Sequence, residues 1–491
     1  MNTTRWVTAG LGLLLFLLSI IQLEWDDRGF SVIHTKAGTL PVTMISPDGE
    51  VRSDRPLVLI GHGVAGSRVI MRGYALTFAH AGYNVVSWDF AGHGNNSQPL
   101  PAGRDAEKLV RDAESALQAA AENGFSVDRI AVLGHSMGSG MALSYGMAHP
   151  ETMATIAVSP IQGTVSMELP RNLLLLAEGL DQRFVENAEE LLVQAGGPGG
   201  DPQLGTARKL EIIPGIEHIS ILFSPTAQAI SREWLDNTFG IQTNAESFTD
   251  RRILWYLVGL AGVLVLFWSL APLINLLDEY SDEPVELSVG RRFGALLIGA
   301  LGATGILYIF SQAGLNITDL LGLLVGGYLL IWFAIAGAIS IILLGRMSSL
   351  LVRPAVFGSL MVFASLWIGV GFLGNYVWLP WILIPKRLIL WPLGVLLSLP
   401  WLLAVAQAVL PTTRLGRVLW WFVYNLILIG SLFLALRLTP ELGFLILILP
   451  VFPLVLGLHA LASGPYRWRS TFALGGALFI GWLLVAVFPL Q

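Results

Sequence analysis

The sequence lacks cysteine and is poor in charge. With no cysteine among its 491 residues, the chain cannot form disulfide bonds, use a thiolate nucleophile or bind metal through sulfur. Charged residues make up only 13%, whereas soluble domains contain about 25%. Because hydrophobic residues reach 54%, the charge density is too low for a water-soluble protein of this length. The composition predicts that most of the chain lies in lipid.

The scarce charge is unevenly distributed. Before residue 253 there are 18 Lys and Arg residues and 27 Asp and Glu residues. From residue 253 onward there are 11 Lys and Arg residues and 7 Asp and Glu residues. Twelve of the 16 Trp also lie beyond residue 253. Two compositional classes therefore meet near residue 250: an acidic stretch long enough for one globular domain, and an apolar stretch. The net negative charge of the first disfavours nucleic acid as a partner.

Apolar runs predict the membrane segments. Val7–Leu23 is uncharged and close to the ~20 residues that span a bilayer. It predicts an uncleaved signal anchor within residues 1–29; a cleaved signal peptide is the alternative, but no small-residue cleavage site follows Ser19. A linker at 241–252 leads to a membrane domain at 253–491. Its eight predicted spans are 253–277, 293–311, 320–344, 355–373, 388–410, 416–436, 442–462 and 470–488.

Lysine and arginine in the short loops predict the orientation. With the N-terminus in the cytoplasm, the inner side collects Arg5, Arg291, Arg292, Arg346, Arg353, Arg414, Arg417, Arg467 and Arg469, and the outer side only Lys386, Arg387 and Arg437. This predicts a multi-pass integral membrane protein with its globular domain and C-terminus outside the cytoplasm. Arg251 and Arg252 lie on the outer side, against the prediction, but they flank a long translocated domain, where the rule is weak. The proline-containing segment Asn375–Arg387 is predicted to be interfacial or re-entrant.

Short aliphatic or β-branched runs alternate with longer amphipathic ones between Phe30 and Gly240. The strand-like runs are Ser31–His34, Val42–Ser46, Leu57–Ile60, Asn84–Trp88, Arg129–Leu133, Thr155–Val158, Asn172–Leu176 and Leu210–Ile213. The helix-like runs include Met71–Ala81, Asp105–Asn123, Gly138–His149, Glu186–Gln194 and Pro225–Phe239. This alternation is typical of βαβ units and predicts a mostly parallel sheet.

A Gly-x-Ser-x-Gly motif, Gly134-His135-Ser136-Met137-Gly138, lies between a strand-like and a helix-like run. A nucleophile elbow needs this context, because its serine occupies a strained strand-to-helix turn and only small flanking residues let the backbone turn so tightly. The motif therefore predicts Ser136 as a catalytic nucleophile.

A serine hydroxyl is a poor nucleophile until a base removes its proton. Three histidines follow the motif: His149, His218 and His459. The first ends the helix that begins at the elbow, and the last falls in a predicted span. His218 remains, in the loop after the last strand-like run, and is the predicted base.

The acid that orients the histidine is expected after the strand-like run Asn172–Leu176. Glu178 and Asp181 both follow this run. Asp181 is preferred because it lies farther along the loop, where it can turn toward His218. Its role would be to hold the imidazole in the correct tautomer and to stabilise the imidazolium. Glu178 stays open as the alternative.

The negative oxygen of a tetrahedral intermediate needs main-chain N–H donors. One is expected from Met137, the residue after the nucleophile. The other is expected from Val64, in the glycine-rich loop Gly61–Ser67, whose glycines allow a close approach to the site.

These motifs resemble the α/β-hydrolase superfamily over Phe30–Gly240, and within it the esterase, lipase and dienelactone-hydrolase-like groups. The resemblance is carried by His62-Gly63, by Trp88-Asp89-Phe90 followed by Gly92-His93-Gly94, by the Gly134–Gly138 elbow and by the Pro214–His218 loop. It implies an eight-stranded sheet, a Ser136–Asp181–His218 triad, and no metal or organic cofactor. It also implies structural roles for His62, His93 and His135.

The sequence departs from the superfamily in two places. Gly179-Leu180-Asp181 is one residue shorter than the usual Gly-x-x-Asp, which leaves Glu178 or a shifted loop open. The connection Ile161–Arg171 is short where many members insert a helical lid, so the cleft is either open or covered by another segment.

The sequence thus predicts a membrane-bound serine hydrolase that cleaves an ester through an acyl-enzyme, with a thioester or amide as alternatives. A small-molecule or lipid acyl substrate is expected, because the domain is tethered to the bilayer at both ends and lacks its own lid. An acyltransferase with the same triad is one alternative function. A transporter with a hydrolase-like accessory domain is another, although no charged residue lies near the middle of a predicted span, where the polar residues include Gln407, Asn425 and His459.

Overall fold

The computed structural model describes residues 3–101, 106–241, 248–275, 287–345, 353–410, 412–466 and 468–491. Asp105, residues 242–247 of the predicted linker, the last two residues of the predicted span 253–277, Arg346 and Arg467 lie outside this described part. The chain forms two compact units. The sheet unit comprises Ile21–Tyr256, Asn375–Pro380 and Pro489–Gln491, and the helical unit comprises Met1–Ile20, Leu257–Gly374 and Trp381–Phe488. The two units are not two consecutive stretches of the sequence, because the short segments Asn375–Pro380 and Pro489–Gln491 cluster with the sheet.

An eight-stranded sheet forms the centre of the sheet unit. Its strands are β1 (Ser31–Ala37), β2 (Leu40–Ser46), β3 (Leu57–Gly61), β4 (Asn84–Trp88), β5 (Ile130–His135), β6 (Ala154–Val158), β7 (Leu173–Glu178) and β8 (Arg208–Ile213). The strand order is β1-β2-β4-β3-β5-β6-β7-β8. Only the β1–β2 and β2–β4 pairs are antiparallel, and the other five pairs are parallel. The predicted mostly parallel, eight-stranded α/β hydrolase sheet is confirmed.

The register of the parallel strands aligns their carboxyl ends. Gly61 of β3 pairs with Gly134 of β5, and His135 pairs with Val158 of β6. Farther along the sheet, Val158 pairs with Leu176 of β7. Loops that leave these strands therefore begin side by side, at the edge where open parallel sheets place their ligands.

Burial on both faces explains why the inner strands are continuously apolar. Five α-helices cover the sheet: α2 (Arg72–His80), α3 (Ala106–Glu122), α4 (Met137–Ala148), α5 (Gln182–Gln194) and α6 (Pro225–Phe239). Along β7, Leu174 and Leu176 belong to a core cluster that includes side chains of α2 and α6, whereas Leu173 and Leu175 pack with side chains of α4 and α5. Successive side chains of a strand point to opposite faces, so both faces of β7 contribute to a core.

A segment far along the chain completes a loop of the sheet unit. The N–H of Leu490 donates to the carbonyl of Gly92 at 2.9 Å, and the N–H of Leu100 donates to the carbonyl of Leu490 at 2.7 Å. A second remote segment is bound in the same unit: the buried guanidinium of Arg252 pairs with Asp250 at 2.8 Å and donates to the carbonyl of Tyr376 at 2.9 Å. The sheet unit thus includes main-chain bonds between residues separated by most of the sequence.

Helices make up the second unit. Helix α1 (Thr3–Trp25) begins in the helical unit and ends in the sheet unit. The helices that follow α6 are α7 (Arg252–Leu270), α8 (Pro272–Asn275), α9 (Val289–Gln312), α10 (Gly326–Leu344), α11 (Arg353–Leu366), α12 (Pro385–Val409), α13 (Arg414–Leu438), α14 (Leu445–Ile448), α15 (Val451–Ser463) and α16 (Arg469–Val487). Among the described residues, eight helical segments are long and apolar enough to cross a membrane. Glycine permits close helix packing: a Cβ on Gly337 of α10 would lie 2.1 Å from the main-chain nitrogen of Trp401 in α12.

One predicted span is not a single helix. The segment 442–462 consists of the short helices α14 and α15, which meet at Pro450. Proline has no N–H to donate and its ring clashes with the preceding turn, so it interrupts a helix at this point. The prediction of one continuous spanning helix over 442–462 was therefore wrong.

Candidate active site

Ser136 lies at the turn between β5 and α4. Its φ is 53° and its ψ is −115°, a conformation that residues other than glycine rarely adopt. The two glycines of the motif make room for this turn. A Cβ on Gly134 would lie 1.8 Å from the carbonyl oxygen of Gly138, and one on Gly138 would lie 2.5 Å from that of Gly61. This is the strand–turn–helix geometry that a nucleophile elbow requires.

A buried carboxylate–imidazole pair lies at the neighbouring strand ends. Glu178, the last residue of β7, is fully buried, and its Oε1 lies 2.7 Å from Nδ1 of His218. An ionised carboxylate only accepts hydrogen bonds, so Nδ1 carries the proton and Nε2 of a neutral ring keeps its lone pair. The ring of Phe184 stacks on this imidazole with centroids 4.2 Å apart. The pair therefore has the orientation in which His218 can act as a base.

His135 links the histidine loop to the elbow. Its Nε2 donates to the main-chain carbonyl of His218 at 3.0 Å, and His135 directly precedes Ser136. The fold thereby holds His218 beside the serine through the main chain. In the described chain, no hydrogen bond joins the Ser136 hydroxyl to His218. Catalytic hydrogen bonds are often long without substrate and tighten when it binds.

Asp181 is not the hydrogen-bond partner of His218. It is the N-cap of α5, where its Oδ1 accepts the main-chain N–H of Arg183 at 3.2 Å and its Oδ2 pairs with the guanidinium of Arg183 at 2.7 Å. The hydrogen bond from Arg183 lowers the pKa of Asp181. The expected contact between Asp181 and His218 was therefore wrong: α5 begins directly after Asp181 and draws the carboxylate to its N-terminus, and Glu178 occupies the place beside the imidazole.

The loop after β3 lies against the elbow. A Cβ on Gly63 would lie 3.1 Å from Cβ of Ser136, so only glycine allows this close approach. A hydrogen bond of 3.1 Å from the N–H of Gly66 to the carbonyl of Gly63 closes the turn that contains Val64. Met137 is the first residue of α4, where main-chain N–H groups have no acceptor within the helix. The two segments predicted to supply an oxyanion hole thus flank Ser136.

Two histidines next to the site are neutral and engaged in structural bonds. His62 places Nδ1 2.8 Å from the carbonyl of Gly63, and its Nε2 accepts the N–H of Phe90 at 3.1 Å. A ring with one donor and one acceptor bond is neutral, and burial lowers the pKa of His62. Burial also holds the pKa of His135 well below its usual value. Within the described ranges, no group of three or more His, Asp or Glu side chains is arranged to hold a metal ion.

An open depression borders the site. It has a volume of about 600 Å³ and is lined by Ile161, Gln162, Arg183, Glu186, Asn187 and Glu190. The N–H of Ile161 donates to the hydroxyl of Ser139 at 3.1 Å, within the first turn of α4. Residues 159–172, all of them described, contain no helix, so this connection does not form a helical lid.

Sequence reasoning did not find two residues that contact the pair. Phe184 stacks on His218, as described above, and the hydroxyl of Ser159 donates to Oε2 of Glu178 at 2.6 Å. Both contacts depend on strand order: β6 lies next to β7 and β7 lies next to β8, so residues that follow neighbouring strands lie close together. The pattern of apolar runs predicts strands but does not state which of them are adjacent, and this left Ser159 unnoticed.

The sheet unit is the part of the chain that resembles known proteins. Residues 52–197 match the family described as serine aminopeptidase, S33. The monoacylglycerol lipase of Mycolicibacterium smegmatis is 31% identical over 130 residues, which cover 26% of this chain and 45% of the lipase. The esterase YjfP of Escherichia coli is 29% identical over 130 residues, which cover 24% of this chain and 51% of the esterase. The chain thus spans about half the length of these curated relatives.

Solved structures are similar to the same region. The dienelactone hydrolase from Anabaena variabilis matches 42% of this chain and 96% of its own, with 18% identity and a TM-score of 0.31. The family match, the relatives and the sheet order lie in one part of the chain. The eight-stranded sheet has the α/β-hydrolase fold, and over this part of the chain the sequence is similar to proteins named as lipases and esterases.

Proposed function

We propose that this protein is a membrane-embedded serine hydrolase that cleaves an ester through an acyl-enzyme on Ser136, with His218 as base and Glu178 as the orienting acid. The observation that carries the proposal is the buried hydrogen bond of 2.7 Å between Glu178 and His218, next to a serine in a strained elbow. Strained backbone conformations persist where function requires them, and a buried carboxylate–histidine pair is the usual support of a nucleophilic serine.

The proposed reaction follows the two halves of acyl transfer. Nε2 of His218 takes the proton of the Ser136 hydroxyl while Oγ attacks the ester carbonyl. The N–H groups of Val64 and Met137 stabilise the resulting oxyanion, and Glu178 stabilises the imidazolium. His218 then donates its proton to the leaving alcohol. In the second half, His218 takes a proton from water while the water oxygen attacks the acyl carbonyl. The bond from this carbonyl carbon to Oγ of Ser136 then breaks, Oγ regains its proton from His218, and the acid is released.

A lipid-derived ester is the proposed substrate class. The hydrolase domain lies in sequence between α1 and α7, two of the helices that are long and apolar enough to span a membrane. No helix lies over the depression from residues 159–172. One relative is named a monoacylglycerol lipase. A domain held close to a bilayer meets lipid esters at high local concentration, which favours them over dilute soluble esters.

We also propose that the hydrolase domain lies on the extracytoplasmic side. The cationic short loops favour this orientation, and the opposing Arg252 is compensated by its ion pair with Asp250. Four candidate spans separate the domain from residues 375–380, which cluster with the sheet. An even number of crossings returns a chain to the same side. Residues 489–491 also cluster with the sheet, in agreement with this topology if the broken segment α14–α15 crosses as well.

Labelling with a fluorophosphonate probe tests the nucleophile. We expect the full chain to be labelled and the Ser136→Ala variant to be unlabelled, with ester hydrolysis reduced by about 10⁴-fold or more because no oxygen remains to form the acyl-enzyme. Ser144→Ala, on the same helix, is the matched control and should be labelled like the wild type. Equal labelling of Ser136→Ala would disprove the assignment.

A pair of isosteric variants tests the acid. Glu178→Gln should lower kcat by about 10³- to 10⁴-fold, because the amide cannot hold the imidazole in the required tautomer or stabilise its charged form. Asp181→Asn should retain kcat within about threefold, since asparagine also caps a helix. Steady-state kinetics with one ester on both variants gives the comparison. The reverse order of effects would restore Asp181 as the acid.

Substrate preference can be measured with the full chain in lipid nanodiscs. We expect kcat/KM for monooleoylglycerol to exceed that for p-nitrophenyl acetate by about tenfold or more, because each buried methylene adds ~0.8 kcal/mol of binding. Activity on the acetate with none on the lipid would remove the lipid proposal. Analysis of the products formed with and without an added alcohol distinguishes hydrolysis from acyl transfer. Acyl transfer is tested because one relative is named a probable alcohol acetyltransferase.

Because the chain has no cysteine, a single introduced cysteine can report on which side of the membrane the hydrolase domain lies. Val193→Cys in the hydrolase domain and Val289→Cys at the start of α9 replace side chains that are 77% and 70% exposed. In intact cells, a membrane-impermeant maleimide should label Val193→Cys only, and Val289→Cys should react after permeabilisation. The opposite pattern would place the hydrolase domain in the cytoplasm.

A further inference from the structure

The carboxylate of Glu178 has a second hydrogen-bond partner. Oε1 faces Nδ1 of His218, while Oε2 accepts the hydroxyl of Ser159 at 2.6 Å. Glu178 and Ser159 are both fully buried. In the described chain, these are the two hydrogen bonds of this carboxylate. A buried carboxylate needs hydrogen bonds to both of its oxygens, and the hydroxyl of Ser159 supplies the one to Oε2.

The backbone of Ser159 is unusual for a serine. Ser159 directly follows β6 and has a φ of 49°, in the left-handed region that favours glycine. Its N–H donates to the carbonyl of Leu176 in β7 at 2.7 Å, which fixes the residue against the strand that ends in Glu178. Glycine would adopt this conformation with less strain but would carry no hydroxyl. The strained residue thus places a donor where the carboxylate needs one.

We propose that Ser159 is a positioning residue of the active site: its hydroxyl holds Oε2 of Glu178 so that Oε1 stays aligned with Nδ1 of His218. This inference rests on the proposed function of the site. With Glu178 fixed and charged, the proton of His218 remains on Nδ1 and the lone pair of Nε2 remains available to Ser136. Ser159 touches no substrate and acts through the carboxylate alone.

The other titratable groups around the pair do not supply the second bond. Tyr74 of α2 donates to the carbonyl of Ile221, and burial raises its pKa, so it is neutral. His135 of β5 bonds the His218 carbonyl and is also neutral, as described above. Asp181 and Arg183 at the start of α5 form an ion pair with each other. Glu217 in the histidine loop accepts the N–H groups of Ile219 and Ser220.

Two variants of Ser159 in the full chain test the proposal. Ser159→Ala removes the hydroxyl and keeps the strain, whereas Ser159→Gly removes both. We expect kcat/KM at its plateau to fall by about tenfold in each, as for the loss of one hydrogen bond to a charged group. Thermal unfolding should separate them, with Ser159→Gly more stable than Ser159→Ala because glycine tolerates the positive φ. The loss of activity would then depend on the missing hydroxyl in both variants, whereas the difference in stability would depend on backbone strain.

The pH profile distinguishes positioning from simple support of the fold. Without the hydroxyl, the carboxylate of Glu178 keeps only one of its two hydrogen bonds, so addition of a proton to the Glu178–His218 pair becomes more favourable and the active form of the pair needs a higher pH to form. The midpoint of the acid limb of kcat/KM should therefore move upward in both variants, so that they lose more activity at pH 6 than at pH 9. A structural role alone would lower activity equally at all pH values.

Thr155→Val is the matched control. Thr155 lies on β6, is fully buried, and its hydroxyl has no hydrogen-bond partner, so its removal should leave kcat/KM and the pH profile unchanged. Wild-type kinetics and an unshifted profile in both Ser159 variants would overturn the proposal, as would an activity loss that follows stability. If fluorophosphonate labelling persists in Ser136→Ala, the proposed function itself fails; if it depends on Ser136 while the Ser159 variants behave as wild type, only this inference fails.

Discussion

The register of five parallel strands decides where every candidate catalytic group lies. The glycine-rich loop follows β3, Ser136 follows β5, Ser159 follows β6, Glu178 ends β7 and His218 lies in the loop after β8. Because the paired strands end level with one another, groups more than 150 residues apart in sequence meet at one edge. A slip of one residue in any pair would turn alternate side chains to the opposite face, so the site depends on the sheet being correctly paired.

Two serines in left-handed backbone conformations concentrate strain at this edge. Ser136 has a φ of 53° and Ser159 a φ of 49°. Such residues cost of order 1–3 kcal/mol each and persist where the surrounding structure holds them in place. Here the support comes from main-chain bonds to the neighbouring strands: Ser136 donates to Val158, and Ser159 donates to Leu176. The buried sheet thus stabilises the strained conformations of the site.

The sequence predicted the sheet and the elbow, because both have local signatures. Short apolar runs predict buried strands, and small residues around a serine predict a tight turn. The partner of the histidine has no such signature. The predicted run ended at Leu176 and the predicted helix began at Glu186, whereas β7 extends to Glu178 and α5 begins at Gln182. These errors made the loop look long enough for Asp181 to turn back. An aspartate just before a helix is an N-cap signal, and it identifies the role that Asp181 has.

Contacts between remote segments could not be predicted from composition or periodicity. The apolar pattern predicted an unbroken span over 442–462, but Pro450, which lies between α14 and α15, interrupts it. Neither the pairing of Leu490 with the loop from Gly92 to Leu100 nor the binding of Arg252 to the carbonyl of Tyr376 has a local sequence signal. Each joins residues between which several apolar helices intervene.

The pairing with Leu490 also sets an order of events during synthesis. All strands of the sheet and the whole candidate triad emerge from the ribosome before α7 does. The loop that contains Gly92 and Leu100 lacks two of its main-chain hydrogen bonds until the apolar helices have been made and residue 490 has followed them. A nascent chain halted among those helices would carry every candidate catalytic side chain but an unfinished loop, so this domain is completed only after the apolar half has been synthesised.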